Sequence, residues 1–423
     1  MVWGWDNARA FLGIALIFAL VWVFSENRKA FPWRIVLGAI GMQFAFALIL
    51  YGIPIVNAGL FKANLVVDAL IEATAAGTGF VFGPIFGTQA GWTSLTESGP
   101  IFAVHLLPLI IVVASISAIL WHWRILRWIT QGFASAFRRG LGLSGATSLS
   151  VAANVFMGMT EAPILVKPYI KSMTRSEIFI LMTAGFATVA GSVLVLYSAI
   201  LSPVMDNALA QLLTASLMAA PAAVALALVM VPESEVSSGS FKPPEFGYES
   251  TMDAFATGAS DGLQILANIV TMLIAALAIL FLVNAGLGNF TAFGEPLSLQ
   301  RILGWLFAPI MYMAGVPWSE AATSGSLLGI KTVLTEFVAF SDLAATPAEV
   351  MSDRTRLITA HAVCGFANFG SIGILIGGLS IIEPAKRDVF LSLAWKTLIA
   401  GSLATCLSGA VVGALPAALF LGS

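Results

Sequence analysis

The stretch GMTEAPILVKPYI, residues 158–170, places Glu161 and Pro163 inside a run that is otherwise apolar enough to lie in lipid. A carboxylate at mid-membrane depth costs at least roughly 2.5–3.5 kcal/mol on insertion scales. Pro163 has no backbone N–H to donate, so a helix does not continue unbroken through it. The stretch therefore predicts an interrupted membrane segment whose acid faces a polar cavity.

The composition of the whole chain places this stretch in a polytopic membrane protein. Of 423 residues, 59% are hydrophobic and 10% are charged, and the mean hydropathy is +0.94. Soluble domains carry about 25% charged residues, so a water-facing surface built from this chain would be poorly hydrated. The formal net charge of −2 gives no electrostatic reason to expect a nucleic-acid partner.

A membrane-spanning helix needs about 20 apolar residues. Seven runs are suitable, and an eighth, 356–380, is apolar but broken by small and polar residues. Regions 144–170 and 300–340 are too interrupted to be ordinary spans, and the Gly- and Thr-rich stretch 55–100 is expected to lie at the membrane interface. The seven runs are residues 10–25, 34–53, 103–121, 179–201, 212–231, 265–287 and 389–413.

The basic residues predict how the chain is oriented. When the spans alternate, the Lys and Arg clusters of the loops fall on one side, which is the cytoplasm by the positive-inside rule. Both termini then lie outside. The polar segment 232–250 is expected to be a cytoplasmic loop between the halves of the chain. The clusters are Arg28, Lys29 and Arg34, then Arg124, Arg127, Arg138 and Arg139, then Lys171 and Arg175, and finally Lys386 and Arg387.

The two interrupted regions share a pattern that indicates an internal repeat. Each has a Thr-Glu pair between two apolar arms, and each is followed by a span with a small-residue break. The pairs are Thr160-Glu161 and Thr335-Glu336, and the breaks are GFATVAGSV at 185–193 and GFANFGSIG at 365–373. The predicted orientation brings one hairpin in from each side, an inverted-topology repeat of the kind that forms substrate and ion sites near the midplane.

These observations predict an all-α polytopic membrane protein with eight transmembrane helices, two re-entrant helical hairpins and interfacial helices. For any single glycine, tight helix packing is an alternative to a functional break. We expect six successive segments: N-terminal spans at 1–53, an interfacial and a scaffold helix at 54–140, the first hairpin and broken helix at 141–201, scaffold helices at 202–298, the second hairpin and broken helix at 299–380, and the last span at 381–423.

The polar residues of the two repeats suggest what the cavity binds. A carboxylate accepts hydrogen bonds from hydroxyl groups, so Glu161 and Glu336 together suit a small polyhydroxylated ligand. A structural ion pair or a neutral, hydrogen-bonded Glu is the alternative, with Lys167 and Lys331 as possible partners. Beside the second break, an amide, a hydroxyl and a ring are available for ligand contact, from Asn368, Ser371 and Phe366.

Hard oxygen ligands gather around the first hairpin and its break. Asn154, Thr160 and Thr188 together with the carbonyl groups of a broken helix are typical of a sodium site. The three His residues are scattered at spacings that do not suit zinc. No nucleophile motif is present, so the sequence does not indicate an enzyme.

Six collinear motifs resemble those of the concentrative nucleoside transporters, and the likeness runs from GFVFG at 79–83 to the final span. The resemblance implies a homotrimer in the bacterial inner membrane, in contact with the lipid bilayer, that takes up nucleosides by sodium symport. Proton-coupled symport through an intramembrane Glu is the alternative. The motifs are GMTEAPILVKPYI, ATVAGSVL, ASDGLQILANIVTMLIA, GVPW, LLGIKTVLTEFVAF and GFANFGSIGILIGGL.

The resemblance also implies which residues form the sites. The ribose side would be formed by Glu336, Asn368 and Ser371, and the sodium ion would be bound through carbonyl groups of Asn154 and Met157 and hydroxyl groups of Thr160 and Thr188. The full set of implied substrate contacts is Met159, Thr160, Glu161, Val193, Glu336, Phe366, Asn368 and Ser371.

The chain departs from the family pattern at two positions. The usual Gly-Gln-Thr-Glu-Ala-Pro has Met159 in place of Gln, which exchanges an amide for an apolar thioether. This change predicts weaker recognition of a pyrimidine edge and leaves a preference for a purine or a modified nucleoside open. The usual Asn-Glu-Phe-Val has Thr335 in place of Asn, which keeps a hydrogen-bonding group but shortens its reach.

Overall fold

The computed structural model describes residues 4–82, 102–234 and 247–420. Residues 83–100 of the predicted interfacial stretch and 235–246 of the predicted loop lie outside the described residues. The described helices are α1 (Trp5–Val23), α2 (Trp33–Gly52), α3 (Pro54–Phe82), α4 (Phe102–His105), α5 (Leu109–His122), α6 (Ile125–Leu141), α7 (Gly145–Asn154), α8 (Ala162–Leu165), α9 (Lys167–Ile170), α10 (Arg175–Ala187), α11 (Gly191–Leu201), α12 (Ala208–Met230), α13 (Thr251–Leu287), α14 (Leu299–Met313), α15 (Trp318–Val333), α16 (Glu336–Ala345), α17 (Asp353–Val363), α18 (Phe369–Ile382) and α19 (Arg387–Ala414). Two short strands, β1 (Thr291–Ala292) and β2 (Glu295–Pro296), pair antiparallel before α14.

Within the described residues, eight segments are long and apolar enough to cross a membrane, which confirms an all-α polytopic fold. The set differs from the predicted one in one member. It includes part of α3, which was expected at the interface, and it omits 356–380, because that run is divided between α17 and α18. The segments are Trp5–Val23, Trp33–Gly52, Leu65–Phe82, Ala103–His122, Arg175–Leu201, Ala208–Met230, Thr251–Leu287 and Pro384–Ala414.

The helix predicted at 265–287 begins fourteen residues earlier, at Thr251. Its first turns are rich in small and polar residues, so they do not read as an apolar run. They are helical because they pack closely on α5. A Cβ atom at Gly258 would lie 2.8 Å from the carbonyl oxygen of Ala114, and one at Gly262 would lie 2.6 Å from the Cα of Ile111. Small residues at such a contact let two membrane helices approach each other.

The same order of elements occurs twice along the chain. A long apolar helix (α5 or α13) is followed by an amphipathic helix (α6 or α14) and a hairpin arm (α7 or α15). A shorter second arm comes next, then a span in two pieces, and finally a long buried helix (α12 or α19). We call α5–α12 the first repeat and α13–α19 the second repeat.

The region 300–340 holds one more helix than the sequence indicated. We expected one hairpin there, but α14 and α15 are separate and meet at an angle of 118°. The turn between them contains Gly315, whose φ of +101° is readily adopted only by glycine. The hairpin that carries Glu336 therefore consists of α15 and α16, and α14 is the amphipathic helix before it.

The predicted breaks are present in both repeats. The first span stops at Ala187 and resumes at Gly191, and the second stops at Val363 and resumes at Phe369. Between them, α12 and α19 pack against each other and against α10 and α17 in the buried centre of the molecule. These central helices hold the two breaks in place on either side.

Candidate functional site

The second hairpin turns at a Thr-Glu pair that begins α16. Thr335 caps the helix, and its Oγ1 accepts a hydrogen bond from the backbone N–H of Val338 at 3.4 Å. Glu336 is the first residue of α16 and is only 6% exposed. A side chain at this position points back from the helix toward the hairpin turn, and here the carboxylate lies against the first break's helix, α11.

Both carboxylate oxygens of Glu336 accept a hydrogen bond from the protein. The hydroxyl of Tyr197 donates to Oε1 at 2.6 Å, and Nδ2 of Asn368 donates to Oε2 at 3.1 Å. Asn368 is fixed in turn, because it caps α18 and its Oδ1 accepts from the N–H of Ser371 at 2.8 Å. Since a carboxylate has about four acceptor positions, two remain for a ligand.

The first hairpin has a different local structure. Its first arm, α7, is capped by Ser144 and ends at Asn154, and the chain then turns through Gly158, which has φ +92°. Its second arm is the two short helices α8 and α9. Pro163 lies in the first turn of α8, so it begins this arm and does not divide it. The division comes at Val166, directly before the first turn of α9, which contains Pro168. The Glu161 carboxylate is half-buried and accepts no hydrogen bond from any residue in the described ranges.

The two hairpins and the two breaks enclose a cavity of about 190 Å³. Both Thr-Glu pairs line it, one from each side. The structure thus brings together, around one cavity, all eight residues predicted to contact substrate: Met159, Thr160, Glu161, Val193, Glu336, Phe366, Asn368 and Ser371.

Two of the four predicted sodium ligands meet where the first hairpin touches the first break. The hydroxyl of Thr188 donates to the backbone oxygen of Asn154 at 3.0 Å. Nδ2 of Asn154 donates to the Ser150 carbonyl at 2.9 Å, which leaves its buried Oδ1 without a hydrogen-bond partner in the described structure. An unpartnered buried oxygen beside a hydroxyl and a broken helix is a donor set that suits a small hard cation.

The other two predicted sodium ligands line cavities. Thr160 is exposed to the cavity between the hairpins, and Met157 lines a neighbouring cavity. The hairpin is nevertheless joined to the break, because the N–H of Gly191 donates to the carbonyl oxygen of Phe156 at 3.0 Å. Of the four predicted ligands, Asn154 and Thr188 are therefore in contact, and the cation site itself stays a prediction.

Three family models match the chain: Na+ dependent nucleoside transporter N-terminus over residues 12–85, Nucleoside recognition over 103–204, and Na+ dependent nucleoside transporter C-terminus over 211–413. Relatives aligned over nearly the whole chain agree with them. The chain belongs to the concentrative nucleoside transporter family. It is therefore a multi-pass membrane transporter and not an enzyme.

Individual relatives show how far the likeness extends. The nucleoside permease NupC of Helicobacter pylori is 35% identical over 97% of both chains. The sodium/nucleoside cotransporter 1 of Rattus norvegicus is 34% identical over 96% of this chain and 63% of its own. The structure of CNTnw in an inward-facing substrate-bound state superposes with a TM-score of 0.88, at 36% identity over 97% of each chain.

Sequence reasoning missed several residues that line this transporter's cavity. Tyr197 lies on α11, and Asn268 and Met272 lie on α13. Tyr197 had a signal that we did not use, since a buried tyrosine usually needs a hydrogen-bond partner for its hydroxyl. Asn268 was equally visible as an amide in an apolar helix, although such residues also serve as routine interhelical contacts.

A second, smaller cavity of about 130 Å³ adjoins the first in this nucleoside transporter. Glu161 lines both cavities, and in the smaller one it is accompanied by Asp261 of α13. Asp261 was not among the predicted residues, because no pattern in the sequence indicated that α13 lies beside the first hairpin. The acid of the first hairpin thus faces a cavity on two sides.

Neither of the suggested lysine partners forms a salt bridge with the hairpin acids. Lys331 is completely buried, but its Nζ donates to Oγ1 of Thr405 at 3.3 Å. Lys167 is exposed on α9. Among the described residues, the polar partners of Glu336 are Tyr197 and Asn368, which are neutral donors.

Proposed function

We propose that this transporter carries nucleosides into the cell by sodium-coupled symport. The observation that carries the proposal is the single cavity lined by the Thr-Glu pairs of both hairpins. It is supported by the family, whose model is described as sodium-dependent, and by the sodium/nucleoside cotransporter among the relatives. We also propose that the protein forms a homotrimer in the bacterial inner membrane, as the family resemblance implies.

The ribose would lie at the second hairpin. Glu336 has two acceptor positions left after binding Tyr197 and Asn368. Hydroxyl groups of a sugar are the donors that match them, and the Ser371 hydroxyl lies on the same wall. Because hydrogen bonds to a charged acceptor are roughly twice as strong as neutral ones, Glu336 would supply the largest single part of the affinity for the sugar.

The base would lie at the first hairpin, between apolar walls. Val193 and Phe366 provide these walls, and Met159, Thr160 and Glu161 face the edge of the base. Met159 contributes no strong donor or acceptor, so the pattern of hydrogen bonds to the base would rest on Thr160 and Glu161. A site with one fewer polar group discriminates less between bases, since fewer groups are left unpaired by the wrong one.

The coupling ion would bind at Asn154 and Thr188. An ion there would use the unpartnered Oδ1 of Asn154 and would hold the end of α7 to the break before α11. The turn at Gly158 leads directly from this point to Thr160 and Glu161. Ion binding would thereby order the first hairpin for substrate. Each inward charge gains about 2.3 kcal/mol per 100 mV of membrane potential.

Proton coupling is the second candidate. The observation that favours it is Glu161, which is not hydrogen-bonded within the described residues and shares a cavity with Asp261. A carboxyl group in this setting is a suitable proton carrier. Sodium coupling is favoured by the hard oxygens at Asn154 and Thr188.

Uptake into proteoliposomes decides between the two candidates. Labelled uridine and adenosine are supplied under an inward sodium gradient, and sodium is then replaced by choline at several external pH values. Sodium symport predicts accumulation that requires sodium and changes little with pH. Accumulation that persists in choline and follows an inward proton gradient would establish proton coupling instead. If neither nucleoside accumulates under a sodium gradient or under a proton gradient, the proposal of concentrative nucleoside uptake is contradicted.

A further inference from the structure

Tyr197 is one of the largest fully buried side chains of the protein, and it reaches the substrate cavity. It lies on α11 and is 1% exposed. Its hydroxyl donates to Oε1 of Glu336 at 2.6 Å, the shortest hydrogen bond at this carboxylate. This distance is typical of a hydrogen bond from a hydroxyl to an ionised carboxylate.

We propose that Tyr197 is a positioning residue for sugar recognition, which it performs by fixing the orientation of the Glu336 carboxylate. The inference rests on the proposed function, in which Glu336 accepts hydrogen bonds from ribose hydroxyls. Tyr197 does not have to touch the sugar, because its effect is transmitted through the acid.

The ring of Tyr197 is held so that its hydroxyl has one direction. It packs against Phe340 and Phe337 of α16, with ring centroids 4.8 Å and 6.2 Å away. Phe340 is completely buried and does not line the cavity, so it supports the ring from behind. A tyrosine ring has only two side-chain torsions to fix, and here both are limited by packing.

The carboxylate of Glu336 is consequently held at both oxygens. Tyr197 occupies one acceptor position of Oε1, and Asn368 occupies one of Oε2. With both oxygens fixed, the plane of the group and its two remaining acceptor positions are fixed as well. Without the Tyr197 hydroxyl, Oε1 loses its partner and only the bond from Asn368 to Oε2 restrains the carboxylate, so binding of a sugar would carry a larger ordering cost.

Tyr197 also connects the two repeats. It belongs to α11, which begins at the first break, whereas Glu336 belongs to the hairpin of the second repeat. The orientation of the sugar-binding acid therefore depends on the position of the helix next to the candidate cation site. A merely structural tyrosine, which only satisfies its buried hydroxyl, would stabilise the protein but would not distinguish between sugars.

The test measures uptake kinetics of Tyr197→Phe with uridine and adenosine and with the 2′-deoxy and 3′-deoxy analogues of each. Removing the hydroxyl is expected to raise KM for the two ribonucleosides about tenfold with Vmax within twofold. For the analogue that lacks the hydroxyl bound by Glu336, KM should rise less than twofold. Tyr51→Phe is the matched control, since Tyr51 is also buried and hydrogen-bonded, to Gln211 at 2.5 Å, but lies away from the cavity.

A second variant keeps the test decisive if Tyr197→Phe does not fold. Phe340→Leu loosens the support of the ring without changing any cavity-lining residue. It should show the same selective pattern at about threefold. If KM rises by the same factor for the four analogues and for the two ribonucleosides in whichever variant folds, Tyr197 is not a positioning residue. If the wild-type protein does not distinguish ribonucleosides from either analogue, the assignment of Glu336 to the ribose fails instead.

Discussion

Glu336 of the second hairpin has both carboxylate oxygens hydrogen-bonded, whereas Glu161 of the first has no hydrogen-bond partner in the described ranges. The side-chain caps of the helices differ between the two repeats in the same way. Thr335 caps α16 and Asn368 caps α18, while α8 and α11 of the first repeat begin without a side-chain cap. The second repeat therefore presents a preorganised acceptor, and the first presents polar groups that a ligand or an ion still has to order.

The two hairpins are also connected to their breaks by different kinds of groups. In the second repeat the tie consists of side chains, from Asn368 to Glu336. In the first repeat both acceptors are backbone carbonyl groups: Phe156 accepts from the N–H of Gly191, and Asn154 accepts from the Thr188 hydroxyl. Backbone carbonyls and hydroxyls are suitable cation ligands. The same element order thus yields the proposed sugar acceptor in one repeat and a candidate ion site in the other.

The largest effect is expected when the preorganised acid is neutralised. Glu336→Gln should reduce nucleoside uptake at least about a hundredfold, because hydrogen bonds to a charged group contribute about 1.5–3 kcal/mol each. The Gln amide also has only one oxygen to accept from Tyr197 and Asn368. Uptake is measured in proteoliposomes at matched protein content.

Glu161→Gln is the matched variant, and it should lose only about tenfold, since no protein donor in the described structure depends on this acid. Size-exclusion chromatography of both variants checks that they are assembled as the wild-type protein is. An equal loss in the two variants would remove the distinction between the hairpins.

Replacing one hydroxyl tests the candidate ion site. Thr188→Val keeps the shape but removes the hydroxyl that lies against Asn154. We expect the sodium concentration for half-maximal uptake to rise about tenfold, with nucleoside KM at saturating sodium changed less than twofold.

Thr183→Val provides the control on the same helix. Thr183 is also buried, and its hydroxyl has no hydrogen-bond partner within the described structure, so its removal should leave the sodium dependence unchanged. A shift of similar size in both variants would mean that α10 is sensitive to any change, and that Thr188 has no special role at an ion.

The turn of the first hairpin is expected to be sensitive to a Cβ atom. Gly158 has φ +92°, and an added Cβ would lie 3.0 Å from the Cβ of Ala190. A left-handed conformation costs a residue other than glycine about 1–2 kcal/mol, so Gly158→Ala should lower the Tm by about 2–4 °C. Thermal unfolding in detergent measures this shift.

A glycine of the second break serves as the comparison. Gly373 lies within α18, and a Cβ atom there would meet nothing within 4 Å. Gly373→Ala should leave the Tm unchanged or raise it slightly, because alanine favours a helix over glycine. If Gly373→Ala were as destabilising as Gly158→Ala, steric crowding at the first turn would not be the cause.

The smallest effect on stability is expected at a surface cluster of charged residues that connects the two repeats. Glu26, in the loop after α1, accepts from Arg175 at the start of α10 and from Lys396 of α19, at 3.0 Å and 2.6 Å. The hydrogen bond from Arg175 is the main cause that holds the pKa of Glu26 below its usual value of 4.5, against the opposing effect of partial burial. Exposed pairs of this kind contribute little.

A carboxyl with a lowered pKa stabilises the folded state above its unfolded pKa, and the contribution disappears as the pH falls through the lowered folded value. Glu26→Gln should therefore lower the Tm by about 1 °C at pH 7. The difference from the wild-type protein should shrink below pH 4.5 and vanish at still lower pH. A difference that stays constant over this range would show that the charge of Glu26 is not the cause.

The repeat made much of the site predictable. Thr-Glu pairs and breaks at matching places in two regions indicated which residues would meet, and Glu161, Glu336 and Asn368 do line one cavity. Such a pattern is visible in the sequence because it consists of polar residues in apolar surroundings. The approximate places of the two breaks were indicated by clusters of small residues, and in the first repeat the span resumes at a glycine, Gly191.

Contacts between the repeats were not predictable in this way. Tyr197 and Asp261 reach the hairpins from helices far away in the sequence, and nothing local specifies such a neighbour. The extra helix α14 was hidden because an amphipathic stretch before a hairpin reads as one of its arms. The start of α13 was missed because its small residues serve close packing on α5 and not burial in lipid.

Glu336 begins α16, so its carboxylate lies at the helix end that carries about half an elementary positive charge. Together with two neutral donors, this field offsets part of the negative charge, and no salt bridge to Glu336 is formed within the described residues. A solute in the cavity therefore meets a strong acceptor at Glu336 whose charge is partly compensated by the helix that carries it. In the proposed mechanism, the sugar end of the chamber would need no metal ion of its own, and the energy of an ion gradient would enter at the first repeat.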